Sequence, residues 1–332
     1  MWTVVIILCL LFGSCTAEVV DDPKSFRVLS YNVQNLFDAR LDGDEYPEYQ
    51  DPKRYSERSY RMRLDSLGRL LLCSELSYPD VIVLQEVEGP AVIHDLLAAR
   101  LGRAGYRWYA TAKEEGGAIS VAIISRHPLS DAAVHEHAGG RPVLEAQIDT
   151  ERGIITIFAL HAKSQVGDIT ETEAMRLSMM QCVAAAAKEV AHTDVLICGD
   201  FNENPTVIWE NIGVQPALVD LSHPDAASYV DAGSLAITGA KDTLLPTVFY
   251  NPYLDEQNQL KGSYCYQGRW QQYDQVQLGY RLFDQMGWEY EDFIICDLPR
   301  LLDSEGKPKA WSLQLLDGYS DHLPVLVTLR RR

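Results

Sequence analysis

The chain has 332 residues, 47% of them hydrophobic and 23% charged, the balance of an ordinary globule with ample core. Twenty-nine Lys and Arg stand against 47 Asp and Glu, a formal charge of −18. Such a surface repels nucleic acid and anionic lipid at long range and argues against a protein that coats DNA non-specifically. It leaves room for an enzyme that gathers a phosphate with local cations and a bound metal.

In chain order, residues 1–14 carry no charge and hold the apolar run Val4–Phe12. That run is too short to span a bilayer stably but suits a secretory signal, although the usual basic lead-in is missing. Leu11-Phe12-Gly13-Ser14-Cys15 looks like a bacterial lipoprotein box, in which Cys15 becomes the lipid-bearing first residue. Cleavage after Ala17 and an uncleaved anchor are the alternatives. The expectation is a signal peptide over 1–14, a short tether over 15–25 and a single domain over 26–332, with no linker or repeat to divide it. Export to the periplasm or cell surface follows, with the membrane reached only through the lipid, and a monomer is expected.

Strand-like runs cover Phe26–Val33, Asp80–Gln85, Tyr106–Thr111, Ile119–Ser125, Val143–Ile148, Ile154–Leu160, Val195–Cys198, Tyr273–Leu278 and Leu323–Leu329. Amphipathic helices are predicted over Ser59–Leu76 and Thr172–Val190, the second with Met175, Met179, Val183, Ala186 and Val190 on one face. Hairpin-like pairs outnumber strand–helix–strand alternation, so the reading is two largely antiparallel or mixed sheets packed together with helices outside. The acidic segment Asp38–Asp51 reads as a mobile loop or as the rim of a site. Cys182, Cys198 and Cys296 sit in apolar stretches, and buried free thiols are expected rather than a disulfide framework.

Five segments place polar side chains where apolar strands end or begin: Ser30-Tyr31-Asn32, Leu84-Gln85-Glu86, Leu160-His161-Ala162-Lys163-Ser164, Gly199-Asp200-Phe201-Asn202 and Ser320-Asp321-His322. A side chain there is held by a rigid sheet yet open to solvent. Mg²⁺ takes a near-octahedral oxygen shell, usually one or two carboxylates plus water and substrate phosphate, and Glu86 and Asp321 can supply those carboxylates. Asp200 can take a proton from an attacking water. Asn32 and Asn202 can donate to phosphate or carboxylate oxygens, and two histidines can donate to a pentacoordinate phosphorus or carry protons. Each residue alone is as readily structural; the ordered set is what points to phosphoester chemistry.

That ordered set, from Leu29-Ser30-Tyr31-Asn32-Val33-Gln34-Asn35-Leu36-Phe37-Asp38 to Ser320-Asp321-His322-Leu323-Pro324-Val325, resembles the endonuclease/exonuclease/phosphatase superfamily over about Phe26 to Leu329. The opening segment and Gly268-Arg269-Trp270…Tyr273-Asp274-Gln275 look most like a bacterial extracytoplasmic branch. The resemblance implies a four-layer α/β sandwich of the deoxyribonuclease-I type. It implies that Glu86, supported by Asn32, holds a metal, Mg²⁺ or alternatively Mn²⁺, and that Asp321 completes a metal or water site. Asp200 would activate water, Asn202 contact the scissile phosphate, and His322 stabilise phosphoryl charge, its tautomer set by Asp274 one strand earlier. His161 matches a second catalytic histidine, and Lys163 and Arg269 are candidate substrate cations. Where the branch carries an Arg and an Asp, this chain has Gly117 and Ser120. His127 before Pro128 reads as structural.

The function expected is an exported phosphodiesterase working by direct water attack on a phosphoester of a small molecule or nucleic acid. A secreted nuclease, a phosphomonoesterase of sugar or inositol phosphates, and an inactive binding protein with the same fold are the alternatives.

Overall fold

The computed structural model describes residues 24–210 and 212–332. The expected signal segment, Cys15 and all but the last two residues of the tether lie outside the described residues. Among the described residues the strands run β1 Ser25–Leu36, β2 Val81–Val87, β3 Trp108–Lys113, β4 Ser120–Ser125, β5 Leu129–His135, β6 Val143–Thr150, β7 Gly153–His161 and β8 Asp194–Asp200. They continue β9 Leu218–Asp220, β10 Leu235–Thr238, β11 Val248–Tyr250, β12 Tyr264–Tyr266, β13 Arg269–Gln271, β14 Asp274–Leu278, β15 Trp288–Ile295 and β16 Val325–Arg331. The helices are α1 Glu57–Leu71, α2 Pro90–Ala99, α3 Ile169–Glu189 and α4 Ala226–Asp231.

One sheet has the order β15-β16-β1-β2-β4-β3 and the other β5-β6-β7-β8-β14-β11-β10-β9, with β12-β13 a separate ribbon. Both are mixed: the first is antiparallel but for β1–β2, and the second has four antiparallel and three parallel pairings. β1 pairs parallel with β2 through the α1 crossover, and β7 pairs parallel with β8 through α3. The central strands read as continuous apolar runs because both of their faces are buried. Val28, Val81, Val83 and Ile123 of the first sheet meet Ala146, Ile157, Leu196 and Val276 of the second in a shared core. The alternate residues Leu29, Ile82 and Leu84 pack under Leu64, Leu67 and Leu96 of α1 and α2. On the far side, Phe158, Leu160 and Ile197 pack under Met179, Met180 and Val183 of α3. The result is four layers, helices–sheet–sheet–helix, as the deoxyribonuclease-I likeness implied.

Several local expectations change. α1 starts two residues earlier, after Ser56, whose hydroxyl caps it by accepting from Ser59 N, and stops at Leu71; Ser74–Leu76 is a separate 3₁₀ turn. The buried stripe of α3 is Thr172, Glu173, Arg176, Met179, Met180, Val183 and Ala187, so Met175 faces solvent. The stripe was misread because its first turns carry a buried ion pair, Arg176 with Glu173, in place of apolar residues. β15 was missed because Glu289, Glu291 and Asp292 interrupt it, as suits an edge strand. Cys73, Cys198 and Cys296 are buried free thiols, whereas Cys182 is half-exposed.

The acidic segment 38–51 is not merely a solvated run. Asp38 and Glu45 are buried, Asp38 N donates to Glu88 Oε2 at 2.6 Å, and Tyr49 packs between Phe37 and Tyr55. It is therefore pinned beside the end of β2, which carries Glu86. No described helix is long and apolar enough to cross a membrane.

β7 and β8 approach closely at Leu160 and Gly199, the residue before Asp200. Gly199 has φ +153°, and a Cβ there would lie 2.0 Å from the Leu160 carbonyl oxygen. Backbone cannot yield as a side-chain tip can, so Gly199→Ala is expected to cost about 3 kcal/mol or more of stability. A urea-unfolding midpoint close to that of the parent protein would contradict this reading of the strand pair.

Candidate active site

The C-terminal ends of the parallel strands β1, β2, β7 and β8 lie at one edge of the sandwich. β14 and β16 run antiparallel to β8 and β1, so their N-terminal ends reach the same edge. This topology brings together Asn32, Glu86, His161, Asp200 and Asp274 from five strands and His322 from the segment that enters β16. Register places Asp200 directly between His161 of β7 and Asp274 of β14.

Asn32 joins the two sheets. Its Nδ2 donates to Glu86 Oε1 at 2.9 Å and to Asp200 Oδ2 at 3.0 Å, and the side chain is fully buried. The second Glu86 oxygen accepts from Asn35 N at 2.9 Å. That bond requires an unusual local backbone, with Gln34, Asn35 and Glu86 all at φ between +52° and +64°. The buried Arg63 guanidinium satisfies the carbonyls of Val33, Gln34 and Asn35. Arg63 is thus a brace beneath the site.

Asp200 Oδ1 accepts from Asn202 N at 2.9 Å, and Asn202 Nδ2 donates to Ala162 O at 3.1 Å, tying the loop after β8 to the loop after β7. One amide hydrogen of Asn202 is therefore committed to the protein. Burial lifts Asp200, with Asp274 adding to the effect and the His322 charge and hydrogen bonds opposing it, and the carboxyl reaches about 7. Burial and the Asp321 charge also raise Glu86.

The two histidines are in opposite states. Burial, then the Arg141 and His322 charges, hold His161 well below the ordinary imidazole range, so it is neutral near pH 7. Burial acts in the same direction on His322, but Asp274, Asp200 and Asp321 outweigh it and raise His322 well above that range. His322 Nδ1 lies 2.7 Å from Asp274 Oδ2, leaving Nε2 toward Asp200 at 3.9 Å. The expected His322–Asp274 pair is present, although β15 intervenes in sequence between its two strands.

Glu86, His161 and Asp200 offer ligand atoms within 4.8 Å of one another, a group able to hold a metal. Two raised carboxylates, with Asp321 pressing on one of them and no Lys or Arg among the described residues in hydrogen-bond contact with either, leave an excess of negative charge that a divalent cation would relieve. Asp321 is half-exposed and joins no such three-residue group, acting on Glu86 and His322 through its charge.

The predicted substrate cations do not join the cluster. Lys163 contributes its carbonyl to Arg176, at 2.9 Å, and Arg269 is exposed at the turn end of the β12–β13 ribbon. The cation whose charge bears on Glu86 and His161 is instead Arg141, from the β5–β6 connection, which donates to Ala162 O at 3.3 Å. No motif marks it, because it lies in a loop twenty residues before His161 along the chain. Ser120, at one of the departures from the branch pattern, donates to Val87 O at 2.7 Å and closes the end of β2. His127 pairs with Asp80 at 2.8 Å, away from the cluster.

The sequence signature of the endonuclease/exonuclease/phosphatase family matches residues 29–211, and this span includes Asn32, Glu86, His161, Asp200 and Asn202. The chain belongs to the endonuclease/exonuclease/phosphatase family. It is accordingly an enzyme of the phosphoester-hydrolysing kind, with acidic residues able to hold a metal. Solved structures agree on the fold. An AP endonuclease from Archaeoglobus fulgidus is 16% identical, with a TM-score of 0.55 over 91% of this chain and 98% of that one. A humanized D. rerio TDP2 is 14% identical, with a TM-score of 0.53 over 92% and 99%. A family protein from Bacteroides thetaiotaomicron is 15% identical, with a TM-score of 0.53 over 93% and 98%. No curated protein sequence matches the chain.

The opposed histidines give a direct test. In the cation-free protein, ¹⁵N-resolved NMR titration should show His161 becoming charged only below the ordinary imidazole range and His322 losing its charge only above it. Single His→Gln variants would assign the signals. Both rings titrating near 6.5, the ordinary imidazole value, would contradict the electrostatics described.

Proposed function

We propose that this protein is an exported, Mg²⁺-dependent phosphodiesterase in which water attacks phosphorus directly. The observation that carries the reading is the Glu86–Asn32–Asp200 bridge beside the buried His322–Asp274 pair. Glu86 and Asp321, with Asn32 in support, would hold the cation. Their hard oxygen donors favour Mg²⁺, and the nearby His161 nitrogen leaves Mn²⁺ as an alternative. A divalent cation held there supplies charge to polarise the phosphoryl oxygens and ease departure of the leaving oxygen.

The chain's own residues do the rest. Asp200, raised to about 7, is suited to take the proton of the attacking water. His322, charged and aimed by Asp274, donates from Nε2 to the phosphoryl oxygens as negative charge builds on them. His161, neutral and buried, can donate one hydrogen bond without adding a cation. Arg141 supplies the permanent positive charge near the scissile group, the place expected of Lys163. Lys163 and Arg269 are left to more distant parts of a larger substrate.

Substrate size follows from charge. A long duplex engages several phosphates at once, and each neutralised phosphate steepens the salt dependence of binding. With a charge of −18 and a single arginine bearing on the site, a small or single-site phosphoester is the better fit. The fold likeness to an AP endonuclease makes a nuclease the second reading. We also propose lipid attachment at Cys15 after export, which mass spectrometry of the native protein would test; an intact Met1 would contradict it.

A panel of phosphodiesters, phosphomonoesters and plasmid DNA, with and without Mg²⁺ or Mn²⁺, tests the reading. Turnover should require the cation, and Glu86→Gln and Asp200→Asn should each lower kcat by ~10²–10⁴-fold with little change in melting temperature. Undiminished hydrolysis in excess chelator would sink the metal dependence. Efficient plasmid nicking that falls steeply with salt would make this a nuclease.

A further inference from the structure

The start of the β12–β13 ribbon touches both members of the His322–Asp274 pair. Ser263 is fully buried, and its Oγ donates to Asp274 Oδ2 at 2.5 Å, the same oxygen that faces His322 Nδ1. Asp274 N donates back to Ser263 Oγ at 3.2 Å. Leu323 N donates to Ser263 O at 2.8 Å, and Tyr264 and His322 face each other as an antiparallel bridge. The Tyr264 ring lies over the His322 imidazole with centroids 4.5 Å apart and planes 25° apart. Tyr273 backs Tyr264 in turn, at 5.6 Å and 20°.

A hydrogen bond at Nδ1 anchors one edge of an imidazole but does not fix its plane, because the outer torsion of His has a broad minimum. Rotation about that anchor swings Nε2 through an arc. A flat ring packed on the face removes that freedom, and stacked geometry with small interplanar angles is favourable in its own right. We infer that Tyr264 is a positioning residue for His322: its ring, held by Tyr273 and by the shared backbone bridge, fixes the plane in which Nε2 is presented to the phosphoryl group. Ser263 does the corresponding task for Asp274 by orienting the acceptor oxygen. The inference rests on the role proposed above for His322.

The contact requires a ring, not a hydroxyl. Misplacement of a donor by about 1 Å can cost on the order of 10²-fold in rate. Tyr264→Leu is therefore expected to lower kcat by roughly 30- to 100-fold with KM within about threefold, whereas Tyr264→Phe stays within about threefold of the parent in both.

The closing experiment measures these constants on a simple phosphodiester with saturating Mg²⁺. It also records, without cation, the low-field proton NMR signal of His322 Nδ1–H, assigned by its loss in His322→Gln. The expected result is a kcat loss in Tyr264→Leu accompanied by broadening or displacement of that signal, both absent in Tyr264→Phe. Tyr264→Met repeats the test should the Leu variant fail to fold. Native kcat in Tyr264→Leu, beside a large loss in His322→Gln, would overturn the positioning role while leaving that of His322 intact. A kcat loss with an unchanged signal would also overturn it, since the ring would then be acting on substrate. A loss in Tyr264→Phe equal to that in Tyr264→Leu would overturn it too, by assigning the effect to the hydroxyl. Native turnover in His322→Gln would remove the role of His322 and the inference with it.

Discussion

One amide nitrogen carries the arrangement. Asn32 Nδ2 spends both of its hydrogens on carboxylates from different sheets, Glu86 on one and Asp200 on the other. Two carboxylates aimed at a common point in a buried place repel each other, and the low dielectric that makes their hydrogen bonds strong also makes their charge costly. Asn32 relieves part of that cost without bringing a charge that would displace a cation. Its own carbonyl oxygen accepts from Gln34 N, and its backbone oxygen accepts from Ser320, next to Asp321 and His322. A residue that joins two sheets and the final loop has little freedom to move, and it keeps the functional groups in fixed relation.

The same seam explains why two histidines in one pocket differ. His161 faces Arg141 and a charged His322, so burial and like charge together keep it neutral. His322 has Asp274 against Nδ1, with Asp200 and Asp321 nearby, and three carboxylates outweigh the desolvation of one imidazolium. Site chemistry here depends less on which residue types are present than on which neighbour each one faces. Those neighbours are set by register, His161 opposite Asp200 and Asp200 opposite Asp274.

Much of this was legible in the sequence, for a physical reason. Central strands buried on both faces read as unbroken apolar runs, so their ends, and the polar residues at those ends, stand out. Asn32, Glu86, His161, Asp200 and His322 stand out in this way, whereas Asp274 is named only through the family resemblance. Elements at the periphery lack that contrast. β15 carries acids on its open face, and α3 begins with a buried Arg176–Glu173 pair that mimics a solvated turn. The candidate cations Lys163 and Arg269 were chosen by nearness along the chain, and Arg141, near in space, was not. Lys163 is two residues from His161 yet contributes only its carbonyl to the described bonding. Arg141 is twenty residues away and arrives from a hairpin.

The central claim is that Glu86, held by Asn32 beside Asp200, anchors a divalent-cation site. Mn²⁺ titration followed by electron paramagnetic resonance, on the folded protein without substrate, tests it most directly. The account predicts a saturable site in the parent protein that Glu86→Gln weakens by more than tenfold while the fold is kept. Equal Mn²⁺ binding in the two proteins, or none in the parent, would contradict it.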